Sequence, residues 1–299
     1  MNTLCAAAPP LSTIRLKKVL RIVGGVAETG GIGGSPYADL DRAPLRRAAL
    51  LRGLPVPWTD LELHAVADST NRRAADAARA GAPEGLVVVA ELQTGGRGRL
   101  DRSWVSPARA GLTLSVLLRP EVPAARLAQL PMLVAVAAAR AVRERTGLNV
   151  ALKWPNDLVI DDRKVGGLLA EVAGDAVVVG VGLNVTTRRG ELPVPTATSL
   201  ALEGAATTDR QPLLLAVLRA VGADYAEWSA SGGEATPLLS AYRGRCTTIG
   251  RQVRVELPGG RTVTGHALDV DDDGRLVVAT GGERQAFSAG DVVHLRPGD

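Results

Sequence analysis

The chain has 299 residues, 46% of them hydrophobic, and carries 35 basic against 31 acidic side chains for a net charge of +4. That length allows one sizeable core plus a small second domain, and the modest positive charge suits anionic ligands without demanding nucleic acid. Two distant cysteines, Cys5 and Cys246, argue against a disulfide framework or zinc site and fit a reducing cytoplasm, and no apolar run approaches the ~20 residues of a membrane span.

Residues 1 to 40 differ from the rest. Gly24-Gly25, Gly30-Gly31 and Gly33-Gly34 are scattered through a weakly patterned stretch, expected to be an extension without fixed structure. Its start, MNTLCAAAPP, superficially suggests a lipoprotein cleavage site. Cys5 comes too early for an apolar signal region, however, and the basic cluster from Arg15 to Lys18 lies on the wrong side of it.

Residues 41–53 predict a short amphipathic helix before Pro-Val-Pro-Trp. From Glu62 the chain reads as a short strand, then a helix that starts at Ser69-Thr70-Asn71 and stops at Gly81 and Pro83. Ser69 or Thr70 serves as an N-cap on the structural reading. Hydroxyl, hydroxyl and amide at a helix start also make a hydrogen-bonding cup for a neutral polar ring such as a ureido group.

The apolar strand from Gly85 to Gln93 leads into Gly95–Trp104, GGRGRLDRSW, where Arg97, Arg99 and Arg102 alternate with Gly95, Gly96 and Gly98. Glycines let backbone N–H groups converge on an oxyanion, and arginine forks grip carboxylate or phosphate, so this loop is expected to wait for an anion. A basic linker or nonspecific nucleic-acid patch is the alternative. No Gly-Lys-Ser/Thr follows and no Gly-x-Gly-x-x-Gly is present, which excludes a Walker loop and a dinucleotide fingerprint. Residues 131–147 predict a core helix with its charged end last and Gly147 as stop.

Between Lys153 and Glu171 stand two of the chain's four lysines, set against 31 arginines. A lysine ammonium is a compact point charge on a flexible stem, where guanidinium is a fixed planar fork, so these two positions point to chemistry that arginine does not serve. Trp154-Pro155 cannot sit inside a helix, Asn156-Asp157 opens a turn, and Asp161-Asp162 supplies a second bend. The segment therefore predicts β-hairpins in which Lys153, Asn156, Asp157 and Lys164 face one pocket and Gly166 and Gly167 leave room for a ligand. Next comes a buried strand from Gly174 to Val185. Gly180 and Gly182 are expected to admit a flat ring there, and Asn184 to offer a donor and acceptor to an adenine edge.

Residues 211–229 predict another helix. From about Gly244 the pattern changes to five short alternating strands cut by PGG, DDDG and GGE turns, the signature of a small SH3-like β-barrel. The DDDG stretch lacks the spaced ligands and terminal Glu of a calcium loop and reads as a hairpin turn.

The order of these pieces, Ser69-Thr70-Asn71, then GRGR before Trp104, then KWPND with a downstream RKVGGLL, then GVGLNV, resembles biotin protein ligase over roughly residues 60 to 190. The resemblance implies an α/β (α+β) catalytic domain over 41–243, of the class II aminoacyl-tRNA synthetase-like, biotin–lipoate ligase kind, and an SH3-like domain over 244–299. It implies ATP and biotin as substrates with Mg²⁺, biotinyl-5′-AMP as intermediate, and transfer of biotin to a lysine on a biotin carboxyl carrier domain of a carboxylase. Carried over by position, Ser69, Thr70, Asn71 and Gln93 would hold the biotin ring. Arg97, Gly98 and Arg99 would close over carboxylate and phosphate, and Lys164 would bind both. Arg102, Trp104, Asn156 and Asn184 would meet the adenylate, and Asp157 would position or deprotonate the incoming lysine, which makes Lys164, Arg99 and Asp157 the catalytic set. The resemblance names no metal ligands. One departure stands out: Leu100-Asp101-Arg102 replaces the family's usual basic or polar residue, Gly and Arg, and puts a carboxylate beside the phosphate loop.

A lipoate ligase or octanoyl transferase shares the fold and is the nearer alternative. A biotin-responsive repressor would need an N-terminal winged helix-turn-helix of about 60 residues, and the stretch before Ser69 shows no pair of amphipathic helices. A carrier protein is excluded because its acceptor lysine sits between methionines, and the chain has only Met1 and Met132. His64, His266, His294 and both cysteines fall outside the motifs, so no covalent enzyme intermediate is expected.

Overall fold

A continuous apolar run makes a strand only where both of its faces are covered, and the centre of the larger sheet is built from such runs. The computed structural model describes residues 42–295 except Asp101, Pro258 and Ala289. The expectations for residues 1–40, for Cys5 and for Asp101 lie outside the described residues.

The sheet holds β1 (Asp60–His64), β2 (Leu86–Ala90), β3 (Gly111–Leu118), β4 (Ala151–Lys153), β5 (Asp157–Ile160), β6 (Arg163–Ala173) and β7 (Ala176–Asn184), in the order β1-β2-β3-β7-β6-β5-β4. β1 and β2 pair in parallel across helix α2 (Thr70–Arg79), and the other pairings are antiparallel. α2 lays Ala74, Ala75 and Ala78 on one face, against Val88, Leu117 and Val178. The other face is covered by α3 (Leu130–Thr146) and α4 (Arg210–Ala230), with α5 (Thr236–Arg243) packed against α3. Every residue of β2 and β3 is buried as a result.

Helix α1 (Arg47–Gly53) is shorter than the expected 41–53. The chain before it is held extended by Leu45 N donating to Glu91 Oε1 at 2.6 Å, and Glu91 is itself paired with buried Arg210. α3 stops where expected, at Gly147 with φ 75°. The helical stretch Ala124–Thr146 is long and apolar enough to cross a membrane by length and composition, but 67% of its apolar window is buried in the fold. It is a core helix.

The five strands expected after Gly244 are all present: β8 (Gln252–Glu256), β9 (Thr262–Val270), β10 (Leu276–Thr280), β11 (Glu283–Phe287) and β12 (Asp291–His294), ordered β11-β10-β9-β8-β12 in an antiparallel SH3-like sheet. The DDDG stretch is the β9–β10 turn, where Asp271 accepts from the backbone N–H groups of Asp273 and Arg275. This small sheet seats directly on the β4–β5 hairpin. Leu152 bridges to Cys246, Trp154 N donates to Thr248 Oγ1 at 3.1 Å, Trp154 Nε1 donates to Gly274 O at 3.0 Å, and Arg251 pairs with Asp162 at 2.7 Å.

Candidate active site

The start of α2 builds one end of the site. Ser69 caps the helix, its Oγ accepting from Arg72 N, while Thr70 N and Oγ1 both donate to Gln93 Oε1, at 2.7 and 3.1 Å. Asn71 is fixed at both ends of its amide. Nδ2 donates to Glu171 Oε2 at 2.7 Å and to Leu169 O at 3.1 Å, and Oδ1 lies 2.6 Å from Ser115 Oγ, which also lies 2.8 Å from Thr70 Oγ1. Ser115 and Thr70 have one hydroxyl proton each for three contacts, to Asn71 Oδ1, to each other and to Gln93 Oε1, so the cluster shares its protons. Sequence reasoning missed Ser115, which sits within the apolar run of β3.

The two glycines of the GVG stretch line the cavity, and each also leaves room for a side chain of the protein itself. A Cβ on Gly180 would strike Asn71, and a Cβ on Gly182 would strike the Trp104 indole. The flat ring admitted at Gly182 is therefore the chain's own Trp104. Its Nε1 is buried with no hydrogen-bond partner among the described residues. Gly166 likewise yields to packing, since a Cβ there would lie 2.7 Å from Gly182 O, whereas Gly167 faces the site beside Lys164.

The arginine loop closes on itself through backbone bonds, with Trp104 N donating to Gly96 O at 2.9 Å and Gly98 N to Arg102 O at 2.5 Å. Its arginines are held by two carboxylates and a backbone carbonyl of the protein itself. Arg97 pairs with Glu171 at 2.8 Å, Arg102 pairs with Asp291 of β12, and Arg99 Nη1 donates to Gly290 O at 3.3 Å.

Across the hairpin, Lys153 stands opposite Asp157 in register, and Lys164 Nζ lies 2.6 Å from Asp157 Oδ1. Asn156 holds the turn by donating from Nδ2 to Leu168 O at 2.7 Å. Burial pulls the Lys153 ammonium and the Arg99 guanidinium below their ordinary ranges, with Asp157 and Asp291 respectively opposing that pull.

One cavity of about 290 Å³ gathers these groups. It is lined by Ser69, Thr70, Asn71 and Gln93, by Arg97, Gly98, Arg99, Arg102 and Trp104, and by Lys153, Asn156, Asp157 and Lys164. Asn184 is the exception among the expected residues. It lies outside the lining and donates to Thr198 O at 3.0 Å while its own carbonyl accepts from Leu200 N, so it ties down the segment after β7. Glu256, Asp291, Val292 and Val293 of the small sheet complete the wall, and no local sequence signal marked them, because β8 and β12 read as ordinary alternating strands.

Residues 63–185 match the biotin/lipoate A/B protein ligase family, and residues 248–295 match the biotin protein ligase C terminal domain. The biotin–[acetyl-CoA-carboxylase] ligase of Mycobacterium tuberculosis is 43% identical over 267 residues, covering 86% of this chain and 98% of that protein. The chain belongs to the biotin protein ligase family. Among other members of the biotin protein ligase family, the bifunctional ligase/repressor BirA of Bacillus subtilis is 34% identical over 235 residues, covering 76% of this chain and 71% of BirA. The Aquifex aeolicus biotin protein ligase solved in complex with biotin and ATP superposes with a TM-score of 0.67 at 28% identity, covering 80% of this chain and all of that one. This biotin protein ligase family member has no group of three or more His, Cys, Asp or Glu side chains placed to hold a metal among the described residues. Among the described residues, those before β1 form one helix, α1.

Proposed function

We propose that this protein is an ATP-dependent ligase that converts biotin to biotinyl-5′-AMP and passes the biotin to a lysine of a carboxylase's biotin carboxyl carrier domain. The observation that carries this reading is one cavity with a hydrogen-bonding cup at one end and five cationic side chains over the remainder. A neutral ureido ring suits Ser69, Thr70, Asn71 and Gln93, and the carboxylate and triphosphate suit the cations.

In the first step a biotin carboxylate oxygen attacks the α-phosphorus and pyrophosphate leaves. Two anions must approach each other, so fixed positive charge is needed where charge accumulates. Lys164 stands on β6 to meet both, with Arg97, Arg99 and Arg102 closing from the loop and Trp104 and Asn156 in the wall. Burial keeps water from the mixed anhydride until the acceptor arrives. In the second step the acceptor amine attacks the acyl carbon and AMP leaves. Its proton must go to a base, and Asp157 becomes available once Lys164 has turned to the phosphate. Mg²⁺ would accompany the nucleotide, held chiefly by its phosphates. The setting is the cytoplasm, and sequence-specific DNA is not among the partners.

The test is to incubate the protein with biotin, radiolabelled ATP and a carrier domain, with lipoate and octanoate run beside biotin. Label in a biotin adenylate and biotin on the carrier are expected. Activity with lipoate or octanoate in preference to biotin would transfer the assignment to the neighbouring branch of the fold.

A further inference from the structure

Of the five cations in the cavity, four are already engaged: Arg97 with Glu171, Arg99 with Gly290 O, Arg102 with Asp291 and Lys164 with Asp157. Lys153 is the fifth. It lines the cavity half-buried, yet its ammonium makes no hydrogen bond and no ion pair among the described residues. It feels Asp157, Asp162 and Asp291 without bonding any of them. Holding an ammonium away from water without a partner is costly, and a fold keeps such a group where an anion arrives to satisfy it.

Position says which anion. The sheet order runs β3-β7-β6-β5-β4, and the groups of the site follow it. The cup lies over β3, β7 and the far end of β6, where Asn71 meets Ser115 and Leu169 O and occupies the space a side chain at Gly180 would need. Lys164 follows on β6, Asp157 on β5, and Lys153 on the edge strand β4, two strand spacings or on the order of 10 Å beyond Lys164. A ligand laid along this line puts its ring in the cup and its carboxylate and first phosphate at Lys164, and its charge furthest from the ring reaches Lys153. The choice of lysine in a chain that otherwise writes its positive charge as arginine fits an oxygen cluster whose charge grows as a bond breaks.

We propose that Lys153 contacts the β- and γ-phosphates of ATP and holds the leaving pyrophosphate. As the bond from the α-phosphorus to the bridging oxygen breaks, its electron pair goes to pyrophosphate, and the Lys153 ammonium neutralises part of that charge without giving up a proton. The role belongs to adenylate formation and its reversal alone, and it rests on the adenylation reading given above.

The experiment uses the full chain and its Lys153→Gln and Lys153→Arg variants. Formation of biotinyl-AMP is followed against ATP concentration, and preformed biotinyl-AMP is reversed with pyrophosphate. We expect Lys153→Gln to raise both the ATP and the pyrophosphate concentration needed for half-maximal rate about ten- to a hundred-fold, with Lys153→Arg intermediate. Biotin affinity and single-turnover transfer from preformed biotinyl-AMP to the carrier should stay at the wild-type level, and that transfer also reports that the variant is folded. In the wild-type protein, pyrophosphate should slow acetylation of Lys153 read by mass spectrometry, a measurement that needs no variant. Unchanged pyrophosphate dependence in Lys153→Gln, an equal loss in the transfer step, or acetylation indifferent to pyrophosphate would each overturn the proposal. A wild-type protein that makes no biotinyl-AMP would instead overturn the adenylation reading.

Discussion

Lys164 and Asp157 face each other from neighbouring strands, with Nζ 2.6 Å from Oδ1. The backbone of Lys164 is fixed on both sides, its N–H donating to Thr196 O and its carbonyl accepting from Thr198 N, each at 2.8 Å. What can move is the side chain. The pair acts as a placeholder in which the carboxylate occupies the ammonium until substrate oxygens replace it.

Lys164→Arg should therefore impair adenylate formation nearly as much as Lys164→Ala, because a planar fork does not fit between Asp157, a carboxylate and a phosphate. The loss should be on the order of 3 kcal/mol in the activation step, or about a hundred-fold in rate. Pyrophosphate release measured on both variants checks this. An Arg variant that releases pyrophosphate at the wild-type rate would remove Lys164 from the reaction.

Asp157→Asn keeps the shape and removes the charge. An acceptor lysine, ordinary pKa about 10.4, must lose a proton before it attacks, so transfer from preformed biotinyl-AMP should fall roughly 10²-fold. Adenylate synthesis should fall less. Wild-type transfer by the Asn variant would leave Asp157 only as the residue that ends the β4–β5 turn.

The arginine loop is tethered by Glu171 and Asp291 and by its own backbone bonds, and a ligand that satisfies its arginines should tighten it further. Trypsin should cut the free protein near Arg97, Arg99 and Arg102, and biotinyl-AMP should protect those bonds. Asp291→Asn should speed cleavage of the free protein. Equal cleavage with and without biotinyl-AMP would show that the loop does not close on the ligand.

His294 lies between the two sheets, with Nε2 3.1 Å from Thr248 Oγ1 and Nδ1 accepting from Arg251 Nη1 at 3.3 Å, while Asp162 stands 3.6 Å away. Burial, reinforced by the positive charges of Lys153 and Arg251, pushes it down from 6.5 to about 4. The unfolded chain takes up this proton as pH falls through about 6.5 and the folded one only near 4, so the contribution to stability is complete above the first value and drains away towards the second. Burial, the largest single influence, raises the Asp162 carboxyl, but the hydrogen bonds and charges of Arg251 and His294 together outweigh it and hold the group below its usual range, which extends the loss to more acid conditions. Urea unfolding between about pH 7 and pH 4 should show a decline of up to about 3 kcal/mol from His294, and His294→Asn should flatten it. A variant with the wild-type slope would assign the decline to other groups.

Much of this molecule was legible because its information is local. The turn pairs Asn156-Asp157 and Asp161-Asp162, the alternation in β8 to β12 and the Gly147 stop each act within a few residues of themselves. β3 carries the alternation Leu112-Thr113-Leu114-Ser115-Val116, yet both of its faces are buried, so the alternation does not tell which face meets the site. Gly180 and Gly182 carry no mark of what presses on them, since Asn71 and Trp104 arrive from far along the chain. Asn184 has the right chemistry for a nucleobase, but Thr198 O claims its amide first. The carboxylates of the small sheet belong to the site only through the way the two sheets meet, which no pattern within β8 or β12 encodes.

The seating of Trp154 on Thr248 and Gly274 has a consequence for anyone who would exchange parts between relatives of this protein. A chimera joined near Gly244 would set a foreign small sheet against a native hairpin, and the lysine and carboxylate on either side of Trp154 would inherit the misfit. The heritable unit is the hairpin together with the sheet beneath it, so a productive graft carries residues 151–173 along with everything from Cys246 onward.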